Sequence, residues 1–160
     1  MGILGLLLRL FRGKPRKRNP RSNDAGRIAL AGHRINGTAW VIDGDTLVIG
    51  DRTIRLHGID APELDHPYGK NAKWALVKLC KGHRITAVFD GTSTHDRPVA
   101  ICTLPDGRDL SAEMVRLGFA IDWKKHSGGK YRHLETPEAR RLFWRADARQ
   151  KGRFPPTPRQ

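Results

Sequence analysis

Residues Trp40-Val41-Ile42-Asp43-Gly44-Asp45-Thr46-Leu47-Val48-Ile49-Gly50-Asp51-Arg52-Thr53-Ile54-Arg55-Leu56 set β-branched runs between breaks that carry glycine and aspartate. That texture marks short strands joined by tight turns. Downstream, Arg84–Phe89 and Pro98–Leu104 read as further strands, with a short one near Asp109 after the Pro105-Asp106-Gly107 turn. Three helices are expected among them. Lys70–Lys81 repeats Ala72, Ala75, Leu76, Leu79 and Cys80 at helical spacing, and Gly82 stops it. A short second helix is expected with Ser111 as its N-cap, Leu110 stapled against Val115 and Gly118 as its stop. A third opens at Thr136-Pro137-Glu138 and carries the stripe Ala139, Leu142, Phe143 and Ala146 as far as Gly152. Strands first with one helix inserted, then two more helices, predict an α+β domain on a small antiparallel sheet or barrel.

At 160 residues the chain has room for one compact domain. Hydrophobic residues make up 38% and charged residues 29%, which supports a modest core and excludes collagen-like, mucin-like and multi-span membrane classes. The formal net charge of +14 calls for a polyanionic partner, nucleic acid or an anionic membrane surface. The charge is uneven: residues 1–34 hold nine Lys and Arg against Asp24 alone. They read as a basic arm and linker, residues 35–152 as the folded domain, and residues 153–160 as a tail.

Within the arm, the apolar stretch Ile3–Phe11 is too short to cross a hydrocarbon core, which needs about 20 residues. Its basic cluster Lys14-Pro15-Arg16-Lys17-Arg18 follows the apolar run, the reverse of a secretory signal. A cytoplasmic or peripheral-membrane setting is therefore expected. Residues 1–18 could give weak contact with an anionic membrane, or act as a disordered basic tail that adds nonspecific nucleic-acid affinity. Cys80 and Cys102 match no disulfide framework and no zinc spacing, and read as small buried hydrophobes.

The chemistry concentrates in two segments. Asp43-Gly44-Asp45-Thr46 and Ile59-Asp60-Ala61-Pro62-Glu63 bring four carboxylates to strand edges, with Arg55 between them. If Gly50-Asp51-Arg52 forms a three-residue loop, Asp45 and Arg55 share a sheet face; a two-residue loop separates them. Clustered carboxylates repel one another unless a positive charge sits among them, and a hard divalent cation takes oxygen ligands of this kind. A cation on Asp45 and Asp60, Glu63 as proton acceptor for a water, and guanidinium groups on phosphoryl oxygens would form a hydrolytic site. As a generic pattern, the same acids also read as solvated turn formers.

Val41-Ile42-Asp43-Gly44-Asp45-Thr46 followed by Ile54-Arg55-Leu56-His57-Gly58-Ile59-Asp60-Ala61-Pro62-Glu63 closely resembles the staphylococcal nuclease family. Tyr68-Gly69-Lys70, Asp106-Gly107-Arg108, the run Met114–Ala120 and Tyr131 before an Ala- and Arg-rich helix follow in family order, so that the resemblance spans roughly residues 37–152. It implies a five-stranded OB-fold barrel with three helices and Ca²⁺-dependent hydrolysis of DNA and RNA with little sequence specificity. In the family, water attacks phosphorus in line and expels the 5′ oxygen, leaving 3′-phosphate ends.

Carried over by motif, Asp45 and Asp60 would be carboxylate ligands to calcium and Ala61 a carbonyl ligand. Glu63 would be the general base, Arg55 a phosphate clamp and Asp43 a supporting residue. The second arginine sits in an altered loop, Ser93-Thr94-His95-Asp96-Arg97-Pro98, where family members commonly carry an acid and then Tyr-Gly-Arg. Arg97 is the expected second clamp, although Pro98 biases it towards extended backbone and Asp96 could pair with it. His95 stands where the family has tyrosine, either to touch substrate or to face solvent. Trp123 with Lys124 could stack a base and follow phosphates, or Trp123 could pack in the core. A nuclease-like OB module that holds nucleic acid without cutting it is the alternative function, and a membrane-surface adaptor a third. A monomer is the default expectation.

Overall fold

A computed structural model describes residues 30–153 of the protein. In chain order the strands are β1 (Arg34–Asp43), β2 (Thr46–Ile49), β3 (Arg52–Leu56), β4 (Ile59–Asp60), β5 (Arg84–Thr94), β6 (Arg97–Thr103) and β7 (Ile121–Asp122). The helices are α1 (Gly69–Cys80), α2 (Leu110–Arg116), α3 (Lys124–Ser127), α4 (Ala139–Leu142) and α5 (Trp144–Gln150), with a 3₁₀ turn at Arg132–Leu134. Five strands close into a barrel in the order β1-β2-β3-β6-β5, and β4 and β7 pair separately. The β3–β6 seam is parallel and the other barrel seams are antiparallel. This is the expected OB-type α+β fold, its helical part divided into five segments among the described residues.

The barrel closes because alternate residues face inward. Ile85, Ala87 and Phe89 of β5 and Ala100 and Cys102 of β6 are buried at every second position. α1 lays Ala72, Ala75, Leu76 and Cys80 on this core, and α2 adds Leu110, Met114 and Val115. Both cysteines are free and buried, as small hydrophobes would be, and burial pushes the Cys80 thiol up to about 11.

Several local readings change. Residues 30–33 already belong to the fold, since Leu30 packs on the core and the Gly32 amide donates to the Phe89 carbonyl at 2.8 Å. The folded part thus begins before Ile35. The second helix is capped by Asp109, whose carboxylate accepts from the Ser111 amide at 2.9 Å. Ser111 is buried and donates instead to the His57 carbonyl at 2.8 Å. The third helix breaks at Phe143, where the backbone (φ −102°, ψ 40°) leaves the helical region and the ring enters a small core with Ile121, Ala139 and Ala146. The apolar stretch Ile3–Phe11, the basic cluster after it and most of the tail lie outside the described residues. No helix among the described residues is long and apolar enough to cross a membrane.

The turn that carries Asp45 is fixed by close approach. A Cβ on Gly44 would stand 2.7 Å from both Ala61 and Ala72 Cβ atoms, closer than packed carbons allow. Gly44→Ala should therefore cost about 1–3 kcal/mol through overpacking, read as a lower midpoint in urea unfolding.

Candidate active site

The β2–β3 loop is the two-residue one: Ile49 pairs with Arg52, and Gly50 has φ +63°. By pleat alone this register separates Asp45 from Arg55. They meet nonetheless, because Asp45 precedes β2 in the turn after Asp43 and is not bound to the pleat. Arg55 Nη1 donates to Asp45 Oδ1 at 2.9 Å. Arg55 Nη2 donates to the Ile59 carbonyl at 3.2 Å and lies 3.6 Å from Asp60 Oδ1. One guanidinium thus spans both carboxylates, and all three residues are buried.

Asp45 is further held by its own segment and the next. Thr46 Oγ1 donates to Oδ1 at 3.0 Å, and the Ala61 amide donates to Oδ2 at 3.1 Å. The Asp45 amide in turn donates to Asp43 Oδ1 at 3.0 Å. Burial raises the Asp43 carboxyl above its ordinary range, and the Asp45 charge adds to that.

Arg97 reaches the same cluster. The chain reverses at His95 and Asp96, both with positive φ (48° and 61°), so that Thr94 pairs with Arg97 at the start of β6. Two successive positive-φ residues make this a type I′ hairpin, which suits strand twist. Pro98 needs an extended neighbour, and the strand supplies it. Arg97 Nη1 donates to Thr46 Oγ1 at 2.8 Å, one hydroxyl away from Asp45. His95 is exposed at the turn apex.

Trp123 is half-buried, with Arg55 Cζ 5.8 Å from its ring centroid. It lines a cavity of about 300 Å³ whose walls also include Arg55, Val99 and His126. His57 and Asp90 line it too, joined by a 2.8 Å contact between Nδ1 and Oδ2. Burial alone would raise the Asp90 carboxyl, but bonds from His57 and Thr92 outweigh it and hold the carboxyl below its ordinary range. Lys124 is exposed at the start of α3.

Glu63 is half exposed at the rim, and its loop rests on α1. A Cβ on Gly69 would meet the Glu63 carbonyl at 1.9 Å, so only glycine lets the helix start there. Sequence reading missed the partner of Glu63, which is Arg149 on α5. Arg149 Nη1 donates to Glu63 Oε1 at 2.9 Å and Nη2 to Asp60 Oδ1 at 2.5 Å. The available signal is position, since Arg149 follows Leu142 and Ala146 on one helical stripe and so puts a charge on a buried face. Arg140 orients that helix by donating to Asp147, to Glu135 and to the Asp122 carbonyl.

Burial is the main reason the Asp60 carboxyl is raised, with Arg149 pulling it down and Asp45 pushing it up. Arg149→Gln removes two donors from a buried carboxylate and should cost about 1–3 kcal/mol, seen as a shifted urea midpoint. Among the described residues, no group of three or more His, Cys, Asp and Glu side chains is placed to hold a metal ion. The cluster offers two buried carboxylates and the Ile59 carbonyl, all hard oxygen donors. A buried carboxylate raised in this way gains from a nearby cation, so the donor chemistry fits Ca²⁺ or Mg²⁺.

A family model described as staphylococcal nuclease homologue matches residues 53–152. The chain is 32% identical over 121 residues to the succinoglycan biosynthesis protein ExoI of Rhizobium meliloti (strain 1021), covering 69% of this chain and 61% of that one. It is 31% identical over 91 residues to an uncharacterized endonuclease of Escherichia coli O157:H7, covering 54% and 60%. Similarity to a probable staphylococcal-like nuclease, CAN1 of Oryza sativa subsp. japonica, is 36% over 93 residues, or 58% and 27% of the two chains. The chain spans about three fifths of the length of the first two.

Proposed function

The chain belongs to the staphylococcal nuclease family, and on that premise we propose that it hydrolyses phosphodiester bonds of DNA and RNA with little sequence preference. The observation that supports this most is Arg55 held between two buried carboxylates, with Arg97 one hydroxyl away. In this reading Arg55 and Arg97 donate to the non-bridging phosphoryl oxygens. They are held before substrate arrives, so that the charge growing on those oxygens needs no reorganisation. Arginine suits the task because its planar fork matches two oxygens at once.

Glu63 takes a proton from the attacking water, and its exposed rim position gives it solvent access. The new P–O bond forms in line with the bond that breaks, and the 5′ oxygen departs, taking a proton from solvent and leaving a 3′-phosphate. Arg149 bonds Glu63 and Asp60 at once, which orients both carboxylates. Asp45, Asp60 and the Ala61 carbonyl would hold Ca²⁺, which when bound adds positive charge that polarises the phosphate and lowers the pKa of water. Trp123 offers an aromatic wall beside the clamp for a base, and Lys124 follows the backbone. His95 stands at the apex of the hairpin that carries Arg97.

Reaction with end-labelled single-stranded DNA and RNA in calcium tests this. Both should be cut at many positions, with 3′ ends that polymerases extend only after phosphatase treatment. Tight binding without cutting would favour a binding module instead.

A further inference from the structure

The outer face of α1 carries lysines and an exposed tryptophan. Trp40 of β1 and Trp74 of α1 are 74% and 60% exposed, unusual for indoles with so much apolar area. Trp74 divides two grooves. One, of about 320 Å³, runs between α1 and β1 and is lined by Trp40, Trp74, Lys73 and Lys81. The other, of about 500 Å³, includes Trp74, Lys70, Lys78 and Phe119. Neither lining contains an acidic residue. α1 itself has three lysines and no Asp or Glu.

We infer that this face is an accessory binding surface for single-stranded nucleic acid, in which unpaired bases stack on Trp40 and Trp74 while the four lysines follow the phosphates. Charge complementarity selects the occupant. A second copy of the chain would set lysines against lysines, whereas a polyanion neutralises them. The indoles select among polyanions, since exposed aromatic rings in a basic groove are the usual platform for unstacked bases. At 1.5 Å per helical residue, Lys70 and Lys78 stand about 12 Å apart along the axis, a length that an extended strand crosses in about two nucleotides. The same helix adjoins the candidate site on its buried side. The first turn of α1 packs Gly69 on the Glu63 carbonyl and Ala72 beside Gly44. A strand held on α1 would therefore stay near the clamp between cuts.

The inference rests on the nuclease reading for its purpose, but its test does not need cleavage. The full chain is titrated with a fluorescein-labelled thymidine 20-mer in chelator, by anisotropy across a salt series. Trp74→Ala and Trp40→Ala should each weaken binding about tenfold, and Trp74→Phe should restore most of the loss. Lys73→Gln with Lys81→Gln should lower the slope of log affinity on log salt by about 0.7 per lysine. In calcium, Trp74→Ala should raise KM for long single strands with kcat unchanged. Affinity and slope unaffected by all four changes would overturn the inference even if the chain cuts DNA. So would loss of binding to phosphatidylserine vesicles with oligonucleotide affinity retained, which would make this a membrane face. A chain that cuts nothing yet loses oligonucleotide affinity on Trp74→Ala would refute the nuclease reading and leave this surface standing.

Discussion

Arg55→Gln should lower turnover of a single-stranded DNA substrate by about 10²–10³, the usual cost of one preorganised charge-stabilising donor. The same change should also cost about 3–5 kcal/mol of folding stability, because Asp45 would remain buried without its guanidinium. The two effects separate experimentally, with kcat measured at saturating substrate well below the unfolding temperature and stability taken from urea melts. Arg55→Lys should rescue little of either. A single ammonium cannot bond Asp45 and the Ile59 carbonyl together while also lying near Asp60. Turnover within tenfold of the parent would show that Arg55 is structural only.

Glu63→Gln should reduce kcat by about 10²–10⁴, the range for removing a general base, with little loss of stability. Glu63 is half exposed, and the amide oxygen of Gln can still accept from Arg149. Substrate affinity in chelator should stay near parental. That combination of retained fold, retained binding and lost turnover is what a catalytic base gives. A supporting ion-pair partner would instead show stability and rate falling together.

The barrel was legible from residues 40–56 because strand periodicity and turn chemistry are local properties. The first helix was legible for the same reason. The meeting of Asp45 with Arg55 was not, since the argument from loop length treats both as members of a pleat and Asp45 stands in a turn. The N-cap of α2 moved from Ser111 to Asp109 because the hydroxyl of Ser111 is engaged by the His57 carbonyl, 54 residues earlier in the chain. The break at Phe143 answers to a small tertiary core and to Arg140, neither of which periodicity reports. Arg149 was missed for a related reason. Its partners lie 86 and 89 residues away, and only the packing of α5 on the β4–β7 side brings them together.

Arg97 shows the converse case. Its loop departs from the family pattern, yet a compact I′ hairpin still delivers the guanidinium to Thr46. The altered loop changes what surrounds the arginine, with exposed His95 at the apex where the family has tyrosine.

We propose that acidic oxygens gather a hard cation beside Arg55 so that a nucleic-acid phosphate is hydrolysed there. The most direct measurement is the rate of single-strand cleavage by the purified full chain, taken first in chelator and then through a calcium titration, with Asp60→Asn in parallel. The expected result is no cleavage in chelator, recovery as calcium is added, and a titration displaced to higher calcium for Asp60→Asn. Cleavage that proceeds at the same rate in chelator, or an Asp60→Asn curve that overlays the parent, would contradict it.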